Sequence, residues 1–290
     1  MTPTPAFEPH RFVSASGELG LFARIYPGEG LPLLLMHGLT RNSADFEPLI
    51  PYLAGRHRLI VPDQRGRGLS ESDPDPANYR PDIYSADMFA LLDGLGIDRV
   101  ALIGTSMGGL MAMLMACLQP DRFPAVVLND VGAALDPAGL ARIQSYVGPG
   151  AAFDSWEGAA ARCARINGEA FPDFGPEDWL AFARRTCRED ADGRVRFAYD
   201  PAISQSIKGD QPDTVPPDLW PLWDALSAKP VLMLRGELSD LLARDTVTEM
   251  AARHSGPFEA VDVPRRGHAP LLDEPVALEA INAFLHKHVG

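Results

Sequence analysis

Uninterrupted apolar runs of four or so residues recur along the first half of the chain. Leu33–Met36, Arg58–Val61 (apolar from Leu59), Val100–Ile103 and Ala125–Leu128 each end at glycine, proline or a polar residue. Runs of this kind are the mark of strands buried on both faces. Ahead of them, Phe12–Ser16 and Leu19–Tyr26 read as a hairpin turning through Ser16-Gly17-Glu18, after a loose leader over residues 1–10. Between the runs the spacing changes to that of helices. Ser43–Leu53 is amphipathic, Pro81–Leu95 sets Tyr84, Met88, Leu91, Leu92 and Leu95 on one face, and Leu110–Leu118 is apolar without a breaker. The rhythm stops after Asn129-Asp130. Segment 132–227 is rich in tryptophan, proline and alanine, and reads as a helical or irregular insertion with no buried strand. Alternation then resumes with Pro230–Arg235 and Phe258–Val263 as strands, and Ala243–His254 and Glu274–His288 as helices.

Strands alternating with helices predict an α/β fold: a mostly parallel sheet, right-handed crossovers and helices on both faces. Such sheets bind ligands at the carboxyl ends of their strands. That rule selects His37, Asp63, Ser106, Asp130, Asp240 and His268, each of which closely follows a strand.

Composition narrows the partners. A net charge of −13 with no basic cluster argues against nucleic acid and against an anionic membrane. The three cysteines, Cys117, Cys163 and Cys187, show no metal or disulfide spacing, so a reducing compartment is expected. The N-terminal stretch lacks the apolar core of a signal peptide, and no apolar run approaches membrane length. A cytoplasmic protein with a small-molecule substrate is expected. The glycine-rich Asp63-Gln64-Arg65-Gly66-Arg67-Gly68 is followed by no Lys-Ser/Thr and no immediate helix, which argues for a structural turn over a phosphate cradle. Metal-binding spacings are absent from the sequence, so neither cofactor nor metal is expected.

Gly104-Thr105-Ser106-Met107-Gly108 sits between a predicted strand and a predicted helix. In that setting G-x-S-x-G is a nucleophile elbow, a sharp turn that exposes the serine at the sheet edge. Serine needs a base, and of the seven histidines only His37 and His268 lie at strand carboxyl ends. His268 is the expected base, and His37 is assigned to holding its own loop. The orienting acid is expected from Asp240, which precedes His268 in the chain; Asp130 and Glu237 are the alternatives. The backbone N–H groups of Met107 and Leu39 are the expected oxyanion donors.

Four motifs now stand in order: His37-Gly38-Leu39, Asp63-x-Arg65-Gly66-x-Gly68-x-Ser70, Gly104-x-Ser106-x-Gly108-Gly109 and Gly267-His268. Together they resemble the α/β-hydrolase superfamily over essentially the whole chain. The resemblance implies an eight-stranded sheet with an antiparallel second strand and a helical cap inserted after the sixth. Residues 1–131 and 228–290 would then form the core domain and 132–227 the cap. It also implies a Ser106–Asp240–His268 triad, and it excludes the members that use aspartate or cysteine as nucleophile. A serine hydrolase of esters or lactones is the leading reading. A C–C bond hydrolase or acyltransferase with the same triad comes second, and a non-catalytic binding protein third. Trp156, Phe171, Phe174, Trp179, Phe182, Tyr199, Trp220 and Trp223 are candidates to roof the pocket or to pack the cap's own core. Arg162, Arg165, Arg184 and Arg185 are candidates to meet a substrate carboxylate.

Overall fold

A computed structural model describes residues 5–150, 152–207 and 218–290. Eight strands form one sheet: β1 Glu8–Val13, β2 Gly20–Tyr26, β3 Gly28–Met36, β4 Gly55–Asp63, β5 Ala101–Thr105, β6 Val126–Asn129, β7 Val231–Gly236 and β8 Phe258–Val263. Their spatial order is β1-β2-β4-β3-β5-β6-β7-β8. β2 runs antiparallel to both its neighbours, and every pairing from β4 to β8 is parallel. This is the sheet that the four motifs imply. The leader is shorter than expected, because β1 opens at Glu8 and pairs with β2 across the turn at Gly17.

Strand alternation explains why the central runs are apolar without interruption. Leu34, Met36, Leu102, Val126, Leu128 and Met233 face one buried cluster, together with α1 (Pro81–Gly94) and α2 (Met107–Leu118). Leu33, Leu35, Ile103, Val127, Leu232 and Leu234 face the other, packed against the C-terminal helix Pro275–His288. Successive residues of a strand point to opposite faces, so a strand covered on both sides is apolar along its middle, and polar side chains such as Asn129 and Arg235 stand toward its carboxyl end with hydrogen-bond partners.

One expected helix is broken. Ser43–Leu53 forms a short 3-10 turn, Ser43–Phe46, and a single helical turn, Ile50–Leu53. Pro48 and Pro51 are the cause: proline lacks an N–H and clashes with the preceding turn of a helix.

Between β6 and β7 the described residues include α3 (Pro137–Tyr146), α4 (Trp156–Asn167) and α5 (Pro176–Thr186). A small, partly exposed hairpin, Cys187–Glu189 with Val195–Phe197, also lies there; neither of its strands is buried along its length. α4 and α5 build their own apolar cluster around Phe171, Trp179 and Phe182. The end of the segment behaves differently. Trp223 is buried in the main core, and its indole N–H donates to the Met250 carbonyl at 3.1 Å. Residues 208–217 of the segment lie outside the described residues.

Candidate active site

The turn after β5 is tight because its glycines allow it. A Cβ on Gly104 would stand 2.3 Å from the Gly108 carbonyl oxygen, and one on Gly108 would stand 2.0 Å from the Met36 carbonyl oxygen. Strand β5, helix α2 and strand β3 therefore approach one another closely enough to force Ser106 to φ 53° and ψ −115°. A non-glycine residue pays for that conformation in strain, and such strain collects at functional positions.

Ser106 Oγ lies 2.8 Å from His268 Nε2. His268 comes from the loop after β8, where the sequence placed it. On the far side of the ring, Nδ1 lies 2.8 Å from Asp130 Oδ2. The same oxygen accepts from the Ser239 hydroxyl at 2.6 Å, while Oδ1 accepts from the Gly236 N–H at 2.8 Å. Asp130 has no solvent exposure, and three donors hold its carboxylate in one orientation. Its loop is pinned further by Asn129, whose side-chain amide donates to Thr105 Oγ1 and to the Pro270 carbonyl beside His268.

This geometry corrects the expectation for Asp240. Its carboxylate is held in a two-point ion pair by Arg142 of α3, at 2.5 and 2.8 Å. That pairing holds the Asp240 carboxyl below its ordinary pKa. The reason lies in the turn after β7. Asp130 directly follows β6, beside the strand that carries Ser106, whereas Asp240 follows Gly236 by four residues and turns toward α3. Glu237, the remaining alternative, accepts from the Arg265 N–H.

Leu39 stands in the loop after β3, and Met107 opens α2 at the helix N-terminus, where backbone N–H groups have no partner within the helix. Arg67 ties the two together. Its Nε donates to the Leu39 carbonyl at 2.9 Å and its Nη2 lies 3.6 Å from Met107 Sδ. The guanidinium is buried against the rings of Tyr79 and Tyr84.

His37 holds the same loop from beneath. It is fully buried, Nε2 accepts from the Gln64 N–H at 3.1 Å, and Nδ1 lies 2.7 Å from the Gly38 carbonyl. Accepting at Nε2 leaves Nδ1 to donate, which fixes a neutral ring. Burial lowers its pKa to about 3. The glycine-rich loop after β4 is likewise structural. Asp63 accepts from the Ser43 and Leu69 N–H groups, and Arg65 is paired to Asp87 and Asp73.

A cleft opens over Ser106 and His268. Segment 132–227 lines it with Ile143, Tyr146, Ile166, Asn167, Phe182, Thr186, Phe197 and Tyr199. Of the aromatics named from sequence, Phe182 and Tyr199 reach this cleft, while Phe171, Trp179 and Trp223 are buried in cores. None of Arg162, Arg165, Arg184 and Arg185 lines it. The charged residue of the cleft that stands in the loop after β3 is Arg41, which sequence reading missed; its signal was proximity to His37-Gly38.

A histidine hydrogen-bonded to a serine on one side and to a buried carboxylate on the other can take a proton from the hydroxyl and return it. No group of side chains suited to hold a metal occurs among the described residues, and none of their helices is long and apolar enough to cross a membrane.

Comparison with known proteins identifies the fold and the family. A family model described as the alpha/beta hydrolase fold matches residues 32–275. The 3-hydroxybutyrate-oligomer hydrolase of Cupriavidus necator is 34% identical, over 94% of this chain and 96% of its own. The 2-(acetamidomethylene)succinate hydrolase of Mesorhizobium japonicum is 30% identical, over 89% of each chain. A crystal structure of an alpha/beta hydrolase from Novosphingobium aromaticivorans superposes with a TM-score of 0.92 at 43% identity, covering 97% of this chain and 99% of that one.

Proposed function

Because the chain belongs to the α/β-hydrolase family, we propose that it hydrolyses a carboxylic ester or lactone of a small substrate through an acyl-enzyme on Ser106. The observation that carries this reading is the unbroken chain of hydrogen bonds from Ser106 Oγ through His268 to Asp130, 2.8 Å at each step. His268 Nε2 takes the hydroxyl proton as Oγ attacks the carbonyl carbon. The imidazolium so formed keeps its Nδ1–H on Asp130, whose buried carboxylate stabilises the positive charge. The N–H groups of Leu39 and Met107 receive the oxyanion, and the start of α2 favours the negative charge there. His268 then protonates the departing alcohol. Water attacks the acyl-enzyme by the same route, its proton passing to His268 and from there back to Ser106.

The relatives support hydrolysis. An oligomer of a hydroxy acid is joined by ester bonds, and the C. necator relative is named for cleaving one. Both named relatives act on carboxylic acids. Segment 132–227 supplies eight residues of the cleft and would serve as the cap that selects the substrate.

A fluorophosphonate probe tests the nucleophile. The wild-type protein is expected to be labelled on one residue and to lose ester turnover in proportion. Ser106→Ala should neither label nor turn over, and labelling that survives the substitution overturns the assignment.

A further inference from the structure

Arg41 and Asp45 are the carrier of positive charge and the carboxylate among the residues that line the cleft; the rest, apart from His268, are apolar or neutral. The chain carries a net charge of −13, so an arginine facing the cleft runs against the sign of the whole molecule. It is also close to the reacting centre. The point where a Cβ would stand on Gly38 lies 3.7 Å from Ser106 Cβ and 3.8 Å from Arg41 Cγ. The side chain of Arg41 thus starts beside Ser106, and both residues line the same cleft.

The guanidinium is positioned from two sides. It lies over the Phe182 ring of α5, 4.0 Å from the centroid, and Nη1 donates to Asp45 at 2.8 Å. Stacking on an aromatic face fixes the plane of the fork. The ion pair with Asp45 occupies one N–H group. Nε and Nη2 make no other hydrogen bond among the described residues, yet neither is a buried atom lacking a partner. Both are therefore open to a group seated in the cleft that Arg41 lines, and this edge of a guanidinium can take a carboxylate at two points.

We propose that Arg41 binds a carboxylate of the substrate, so that this site takes anionic esters whose free carboxylate lies within a few atoms of the scissile carbonyl. The proposal rests on the hydrolase reading of Ser106. Asp45 leaves the arginine partly neutralised before substrate arrives. Tyr146, half-buried at the wall of the same cleft, lies within the field of Arg41. The cleft thus offers a positive site beside the nucleophile and an apolar wall from Ile143, Ile166 and Phe197 for the rest of the molecule.

The experiment compares kcat/KM for two substrates that differ only in charge: 3-(3-hydroxybutanoyloxy)butanoate and its methyl ester, each followed by chromatography of the released acids. A two-point charged contact discriminates by about 10- to 100-fold. The wild-type ratio of anionic to methyl ester should fall in that range. Arg41→Gln should bring the ratio to about one, with the loss carried by KM of the anion, and Arg41→Lys should keep part of it. Asp45→Asn should raise the ratio, because it removes the competing carboxylate. The readout is a ratio within each variant, so a general loss of folded protein cancels. A wild-type ratio near one, or a ratio unchanged in Arg41→Gln, overturns the proposal while leaving Ser106 as nucleophile. If neither ester is cleaved and the fluorophosphonate fails to label Ser106, the hydrolase reading falls and takes this inference with it. If Ser106 labels but neither ester is cleaved, the anionic-ester proposal alone is overturned.

Discussion

Asp130, at the carboxyl end of β6, and His268, in the loop after β8, meet at 2.8 Å, although 138 residues of chain separate them. The aspartate is fully buried and accepts two further hydrogen bonds. Its position is thus decided before the imidazole arrives. Asparagine at this position would present an amide to Nδ1 and favour the wrong tautomer. Asp130→Asn is expected to lower kcat by about 10³- to 10⁴-fold. Asp240→Asn should leave kcat within about threefold, since the residue it loses is Arg142. Steady-state kinetics on both variants decides between the two carboxylates, and a large loss confined to Asp240→Asn would reverse the assignment.

His37 predicts a pH dependence of stability. The ring is held neutral in the fold with its pKa lowered to about 3, against an ordinary value of 6.5. Below pH 6.5 the unfolded chain therefore takes up a proton that the folded chain refuses. Stability falls as pH drops from about 6.5 toward 3, and the dependence ends once the folded ring also titrates. One proton corresponds to about 1.4 kcal/mol per pH unit. Denaturant titrations at pH 6, 5 and 4 should show a slope shallower by nearly one proton in His37→Gln than in wild type. Equal slopes would mean that His37 is charged in the fold.

The glycines of the elbow separate backbone clash from ordinary helix propensity. Gly108→Ala would drive a methyl group into the Met36 carbonyl, a backbone atom that cannot swing aside. It should cost about 3 kcal/mol or more, at the upper end of single substitutions. Gly94, near the end of α1, has open space around its missing Cβ, and Gly94→Ala should stabilise by about 0.5–1 kcal/mol. Thermal unfolding of the two variants checks both signs.

Arg67 holds the Leu39 carbonyl and touches Met107, so in the proposed mechanism it positions the loop that carries the Leu39 donor. Arg67→Met should lower kcat more than it raises KM, because the proposed role of the Leu39 N–H is to act on charge that develops in the transition state. A loss of about 10- to 100-fold in kcat is expected for one misplaced donor. An effect on KM alone would remove Arg67 from this role.

Much of the architecture is written in local sequence. A strand covered on two faces must be apolar along its middle, which made β3, β5, β6 and β7 legible as continuous runs. The elbow is legible because a Cβ at 104 or 108 would stand about 2 Å from a backbone carbonyl oxygen, which leaves only glycine there. The loss of the Ser43–Leu53 helix was also legible in principle, since Pro48 and Pro51 stand inside it.

The acid and the arginine are a different matter. Ser, Asp, His is the chain order whether the aspartate is Asp130 or Asp240, so order alone could not choose between them. The choice was made by the direction in which each loop leaves the sheet. β6 lies between β5 and β7, so a side chain at its end reaches His268 directly, whereas the turn after β7 carries Asp240 to Arg142. Arg41 likewise looks like any surface arginine in sequence. It becomes a cleft residue because Phe182, far along the chain, packs beneath its guanidinium. Sequence determined which residues stand at the ends of strands, because burial and backbone clash act between near neighbours. Tertiary structure decided which of those residues face one another, because a contact across more than a hundred residues depends on the path of every loop between them.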